Sequence, residues 1–449
     1  MSSSPSRRTF LKLLSGSILA SVAPMRAVAD TLLSSDEFFV FIHASGGWDV
    51  MLFADPRNEA KGIIMPPSTA NTTTTGIRRW VNSPLGDGSS SFSMVQPSGS
   101  KIVFGPAIGN LADHYDRITL VNGLAMNTVS HPDGTAFSST GRHLAGGRSP
   151  ASSIDTVIAN ELGVEQLLPS ISVAFPSYVA GNINARAMPL KVDAIGSVGK
   201  VLTRTPNQEP SATRDAVTVL LTDEARELAK QAYYADAYEG LALQYEALRG
   251  MLDGNLKDAF TDASLRTKYP MFNYKGTFQG PRCVNLAFAL EAMTRNIARC
   301  IGLSFAGFDT HASNYDDHAA TQQEMFDALA QLIVQLESTK HPTKNSSTLA
   351  DHTHILVFSD FCRTPQINLR SGRDHYPNNS AIVLSPKFRS NVCFGSTDPE
   401  QLLPSATFKA ALGMRAPAPP DLLATFIAAF GVDPTPYMRD GEVIKELLT

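Results

Sequence analysis

Short apolar runs, each followed at once by polar or metal-ligating residues, constrain this chain more than any other feature. Phe38-Phe39-Val40-Phe41-Ile42, Ile118-Thr119-Leu120-Val121, Ile301-Gly302-Leu303-Ser304-Phe305 and Ile355-Leu356-Val357-Phe358 are compact and bounded by polar or glycine residues. Such runs read as strands buried on both faces of a parallel sheet. The second should end at Asn122-Gly123, and Ile171-Ser172-Val173-Ala174 also reads as extended. Helical spacing falls between them, over Ile154 to Leu162, at Leu286, Leu290, Met293 and Ile297, and at Met325, Phe326, Leu329, Leu332, Ile333 and Leu336. Helix and strand in alternation predict an α/β fold with a largely parallel central sheet flanked by helices. Leu241, Tyr245, Leu248 and Leu252 step along a polar helix, so about 205–282 reads as a helical cap or insertion. Residues 66–100, rich in Ser, Thr, Gly, Pro and Asn, read as a surface excursion.

The first thirty residues have a different character. Ser6-Arg7-Arg8-Thr9-Phe10-Leu11-Lys12 sets paired arginines before an apolar segment, Leu13 to Ala23, and Ala27-Val28-Ala29 forms a small-x-small cleavage site. Residues 1–29 therefore read as a twin-arginine signal peptide, and 30–449 as one α/β domain exported through the twin-arginine translocase to the periplasm or beyond. Ser15, Gly16, Ser17 and Ser21 break the apolar segment and Pro24 ends it, short of the ~20 apolar residues of a membrane span. A net charge of −4, with 18% charged residues, offers no basic field for nucleic acid. Cys283, Cys300, Cys362 and Cys393 show no C-x-x-C spacing.

Ligands of open parallel sheets bind beyond the carboxyl ends of the strands. The first run leads into His43-Ala44-Ser45-Gly46-Gly47-Trp48-Asp49, the third into Gly307-Phe308-Asp309-Thr310-His311, and the fourth into Ser359-Asp360. His375, in Gly372-Arg373-Asp374-His375-Tyr376-Pro377, precedes a further run, Ala381-Ile382-Val383-Leu384. Carboxylates and imidazoles gathered at one sheet edge suit a divalent cation such as zinc, manganese or calcium. Asp49, Asp309, His311, Asp360 and His375 are the candidate metal ligands. Asp309, His311, Asp360 and His375 should share one coordination sphere, with Asp49 close by. His318 is ambiguous by sequence: if Asn314-Tyr315-Asp316-Asp317 caps its helix, His318 falls in an exposed first turn.

Three blocks in this order, Gly307 to His311, Ser359-Asp360-Phe361-Cys362-Arg363-Thr364-Pro365 and Gly372 to Pro377, resemble the exported family called domain of unknown function 1501. Its blocks are similar to G-W-D-T-H, E-F-G-R-T-P and G-R-D-H-W-P. This chain departs at Phe308 for Trp, Asp360 for Glu and Cys362 for Gly, the last removing a residue suited to a tight backbone approach. The resemblance implies a distant alkaline phosphatase-like and sulfatase-like fold, with metals at the strand ends. Phe361 stands where those enzymes place a metal-binding His. The stretch His131 to Thr140-Gly141-Arg142 resembles a sulfatase nucleophile segment, without its cysteine.

From this resemblance the expected activity is metal-dependent hydrolysis of a phosphate or related ester, on a small molecule or a polysaccharide. His131 is expected as ligand or general acid, and Arg142, Arg363 or Arg373 as the group that grips the anion. Each arginine serves equally well as a structural ion-pair partner. Pro132, Asp133 and Gly134 also allow the stretch after His131 to be only a turn. The rival expectation is a non-catalytic envelope protein that keeps the fold to bind or assemble a partner.

Overall fold

The computed structural model describes residues 36–57, 94–202, 211–231, 259–273, 279–370 and 372–449. The signal segment, most of the 66–100 excursion and the Leu241 to Leu252 spacing lie outside the described residues. Within the stretch read as an insertion, the described residues form helices Ser211–Gln231 and Asp262–Lys268. The described residues belong to one compact unit.

The central sheet is built from β1 (Phe38–Ser45), β2 (Ile118–Ala125), β3 (Leu168–Val173), β4 (Leu190–Val192), β5 (Ala298–Ala306) and β6 (Thr353–Ser359), with β9 (Asn378–Leu384) and β10 (Val392–Phe394). Two short strands, β7 (Cys362–Arg363) and β8 (His375–Tyr376), pair outside it. The order across the sheet is β10-β2-β9-β6-β1-β5-β3-β4. β1 runs parallel to β5 and β6, β3 to β4 and β5, and β10 to β2. β9 runs against β2 and β6. β2 does not stop at Asn122-Gly123. It continues to Ala125 through a register shift between Val121 and Leu124, where Gly123 takes a φ of 66° and absorbs the irregularity.

β1 shows why its sequence carries almost no polar residues. Phe38, Val40, Ile42 and Ala44 enter one apolar cluster with helices Val284–Thr294 and Ala319–Ser338. Phe39 and Phe41 enter another with helices Ile154–Leu162 and Pro419–Ala428. Successive side chains point to opposite faces, so only a strand covered on both sides needs apolar residues at consecutive positions. Each such side chain, fully buried, contributes about 1.5–3 kcal/mol of transfer free energy. His43 is the polar exception on the Phe39 and Phe41 face, and it is buried.

Among the described residues no helix is long and apolar enough to cross a membrane. The carboxyl ends of β1, β2, β5 and β6 share one edge of the sheet. Because β9 is antiparallel, its beginning rather than its end lies at that edge, which brings His375 there just ahead of Asn378.

Candidate metal centre

Four connections converge at this edge. β1 ends in Gly46-Gly47, whose φ values are 116° and 79°. A Cβ on Gly46 would lie 2.4 Å from the backbone nitrogen of Asp309, so glycine lets the β1 and β5 turns touch. The chain after β2 enters helix His131–Thr140, with Pro132 in its first turn, where proline is tolerated, and Gly141 as a left-handed C-cap. The Pro-Asp-Gly sequence is therefore the start of a helix rather than a free turn. A Cβ on Gly134 would meet the carbonyl oxygen of Asp360 at 2.5 Å. Any larger residue would push this helix, and His131 at its head, away from β6. β7 and β8 pair antiparallel with Arg363 opposite His375, so the second and third sequence blocks form one ribbon.

The centre of the arrangement is one carboxylate oxygen, Asp309 Oδ1. His131 Nε2 lies 3.2 Å from it, His311 Nε2 3.1 Å and His375 Nε2 3.4 Å. Arg363 Nη2 donates to the same oxygen at 2.9 Å. Donor atoms of His131, Asp309 and His375 all fall within 4.8 Å of one another, and His311 flanks this trio. Phe361 is buried beneath it, its ring centroid 4.8 Å from that of His131 and 4.6 Å from that of His375. The phenylalanine that replaces an expected ligand thus acts as the apolar floor on which two imidazoles rest.

The other nitrogen of each imidazole is held by a group that accepts hydrogen bonds. His131 Nδ1 lies 2.7 Å from Asp360 Oδ2, His311 Nδ1 2.8 Å from Asp374 Oδ1, and His375 Nδ1 2.8 Å from the carbonyl oxygen of Val129. Asp360, though buried, is held well below the usual carboxylate range. Its desolvation is outweighed by His43 and His131, both paired to it. Asp374 is lowered as well, first by His311. With carboxylates and a carbonyl as partners, the proton of each neutral ring sits on Nδ1 and the lone pair on Nε2. Three lone pairs then point at an oxygen that is itself negative.

The pKa directions reflect positive charge and donated protons around Asp309 in the metal-free protein, where imidazoles that carry a proton on Nε2 relieve that conflict. Burial would raise Asp309, but Arg363 and the neighbouring imidazoles bring it down to about 2. His131 is raised, mostly by its hydrogen bond to Asp360 against the opposing effect of burial. His375 is lowered, by burial first and then by the charges of Arg363 and His131, so it stays neutral. Buried His131 Nε2 also lacks the alignment of a hydrogen bond to any protein group.

The remaining sequence candidates are placed elsewhere. Asp360 is not in the trio's coordination sphere, since its two oxygens are taken by His43 and by His131 and the Gly46 N–H. Asp49 is fully buried, paired with Arg373 Nε at 3.0 Å, and accepts from Asn314 Nδ2 at 2.9 Å and the Met51 N–H at 3.0 Å. It caps a short turn rather than offering an oxygen to the imidazoles. His318 is buried, not exposed: Nε2 accepts from the Asp49 N–H at 2.8 Å and Nδ1 faces Thr310 Oγ1 at 2.6 Å. Arg142 lies past the far end of its helix, about 15 Å long for ten residues, and pairs with Asp440 at 2.6 Å.

Arg373 is turned into the protein, and Arg363, apart from its bond to Asp309, is engaged by backbone carbonyls. Arg363 donates to the carbonyls of Gly46, Gly47, Phe308 and Arg373. Arg373 Nη1 donates to the carbonyls of Thr364 and Pro365. Cys362, where a glycine was expected, fits because its buried side chain fills core space beside Trp48. Sequence reasoning passed over His43, Asp374 and Val129. A lone histidine inside an apolar strand was the available signal for the first, since a buried imidazole needs a partner.

The chain matches, over residues 37–442, the family described as Protein of unknown function (DUF1501), and it belongs to that family. No curated protein matches it. Among solved structures it is similar to Ps i-CgsB, determined in complex with k-i-k-neocarrahexaose, at 10% identity and a TM-score of 0.36, covering 91% of this chain and 75% of that one. It is also similar to BT4656, determined in complex with its substrate D-glucosamine-2-N,6-O-disulfate, at 10% identity and a TM-score of 0.31, covering 92% and 82%.

Proposed function

We propose that this protein is an exported metal-dependent hydrolase of phosphate or related esters, holding one divalent cation between His131, Asp309 and His375. The observation that carries the reading is the convergence of imidazole Nε2 atoms on Asp309 Oδ1, each ring with its Nδ1 held by an acceptor. A carboxylate or carbonyl behind each imidazole is the arrangement that aims a histidine lone pair at a metal. Ligand distances of about 2.0–2.2 Å place tetrahedral donor atoms roughly 3.3–3.6 Å apart, and the His131 and His375 separations from Asp309 Oδ1 lie at that scale. Two imidazoles and a carboxylate with an open position suit zinc better than calcium.

Such a cation supplies polarisation of the ester oxygen and a lowered pKa for a nearby water. The side chains of this chain do the rest. Asp360 and Val129 fix the His131 and His375 rings, and Phe361 keeps water from beneath them. His311 is exposed to the crevice, and with Nδ1 held by Asp374 it takes up or delivers a proton at Nε2. One observation favours a second reading, a metal-loaded binding protein: Arg142, Arg363 and Arg373 all engage protein groups.

Purified mature protein should be loaded with zinc or manganese and tested on phosphomonoesters, phosphodiesters and sulfate esters. Metal-dependent turnover that is lost in His131→Ala and His375→Ala is the expected result. Stoichiometric metal with no turnover across the panel would move the assignment to the binding protein. Export is part of the same proposal, motivated by Arg7 and Arg8 ahead of an apolar segment. Arg7→Lys with Arg8→Lys should accumulate as uncleaved precursor inside the cell, and unchanged export would remove that part.

A further inference from the structure

We infer that His43 is a positioning residue for the metal centre, acting through Asp360 to hold the His131 ring with Nε2 facing Asp309. The inference rests on the metal reading above and deepens it. His43 lies towards the carboxyl end of β1, between Ser304 of β5 and Phe358 of β6, a buried position where a polar side chain is costly. It is 3% exposed and its partner Asp360 is 1% exposed, so neither meets substrate directly. His43 Nε2 lies 2.6 Å from Asp360 Oδ1. On the other side, Asp360 Oδ2 accepts the Gly46 N–H at 3.1 Å and faces His131 Nδ1 at 2.7 Å. Oδ2 is thus held by two hydrogen bonds and Oδ1 by a close contact with the His43 imidazole that lacks hydrogen-bond alignment, so β1 meets the carboxylate at two points, His43 and Gly46.

Removing the imidazole would leave Oδ1 buried without its partner. A buried carboxylate oxygen in that state costs more than the lost contact, so the group rotates towards whichever donors remain. The donors that remain, the Gly46 N–H and His131 Nδ1, both face Oδ2, so turning Oδ1 towards them changes the direction from which the carboxylate meets the His131 ring, and the ring loses its fixed orientation and its preference for the Nδ1–H tautomer. Partners of this kind behind a ligating histidine are worth about 10–100-fold in metal affinity. Glutamine reaches with its amide nitrogen close to where imidazole Nε2 stands, whereas leucine fills similar space with no donor.

The test compares wild type, His43→Leu and His43→Gln as full mature protein. Zinc and cobalt affinities are measured by calorimetry, with the cobalt absorption spectrum as a signature of coordination geometry. The His131 tautomer is read from imidazole 15N shifts of the metal-free protein at alkaline pH, assigned by loss of the signals in His131→Ala. His43→Leu should weaken metal uptake at least about tenfold, alter the cobalt spectrum and lose the Nδ1–H pattern of His131, with His43→Gln restoring most of each. A His43→Leu protein that is folded and keeps the wild-type tautomer and cobalt spectrum would overturn the inference. If wild type shows no saturable metal uptake, the metal reading fails, and the tautomer comparison still decides whether His43 positions His131.

Discussion

Asp309→Ala is expected to abolish saturable uptake of zinc or cobalt. The loss should exceed the roughly 10–100-fold that removal of a supporting hydrogen-bond partner costs, because Asp309 supplies the oxygen that all the imidazoles face. The substitution also removes the carboxylate partner of buried Arg363 and so costs stability, and circular dichroism must show the variant folded before its uptake is compared. The Asp309 side chain is half exposed, and Arg363, its buried partner, keeps its bonds to the carbonyls of Gly46, Gly47, Phe308 and Arg373. Wild-type uptake should also weaken as pH falls. His131 must give up its second proton to ligate, and its pairing with Asp360 raises its pKa above the usual 6.5, so proton competition begins at a higher pH than for an ordinary histidine. Asp309 stays ionised down to about 2 and does not limit uptake in that window. Isothermal titration of both proteins across neutral pH measures this. Equal affinities for wild type and Asp309→Ala would show that the cluster holds no metal.

How far the sequence anticipates the site depends on which level carries each residue's role. Strand positions are legible because consecutive apolar residues such as Phe38 to Ile42 have no other stable home than a doubly covered strand. The edge where Asp309, His311 and His375 lie follows from strand direction. Side-chain direction is not written in the same way. Asp49 and Asp360 both follow strand ends, yet one turns inward to Arg373 and the other stands behind His131. His375 reaches the same edge because an antiparallel β9 delivers its beginning where its neighbours end, a strand direction that the run Ala381 to Leu384 does not reveal. His131 drew attention through a resemblance, whereas its reach towards Asp309 depends on Gly134 letting the helix close on β6.

The arginines test the boundary between scaffold and site, and the largest stability effect is expected there. Arg363→Ala should destabilise the folded protein by about 3–5 kcal/mol, because several buried carbonyl oxygens each lose a donor at about 1–3 kcal/mol. Its side chain is fully buried. A guanidinium carries five N–H donors in a rigid plane, and here Nε reaches the Gly47 carbonyl, Nη1 the Arg373 carbonyl, and the two hydrogens of Nη2 are shared among the Gly46 and Phe308 carbonyls and Asp309 Oδ1. Those carbonyls belong to the β1 turn, the β5 turn and the β7–β8 ribbon, so one side chain ties together the elements that carry Asp309 and His375. Arg363→Lys should recover little, because a single ammonium cannot span carbonyls spread along both edges of the plane. Urea unfolding of the mature protein reads the difference as a shift in midpoint at constant slope. A variant within about 1 kcal/mol of wild type that instead lost affinity for anionic esters would return Arg363 to the substrate, since only a side chain not needed to hold the turns is available to grip an anion.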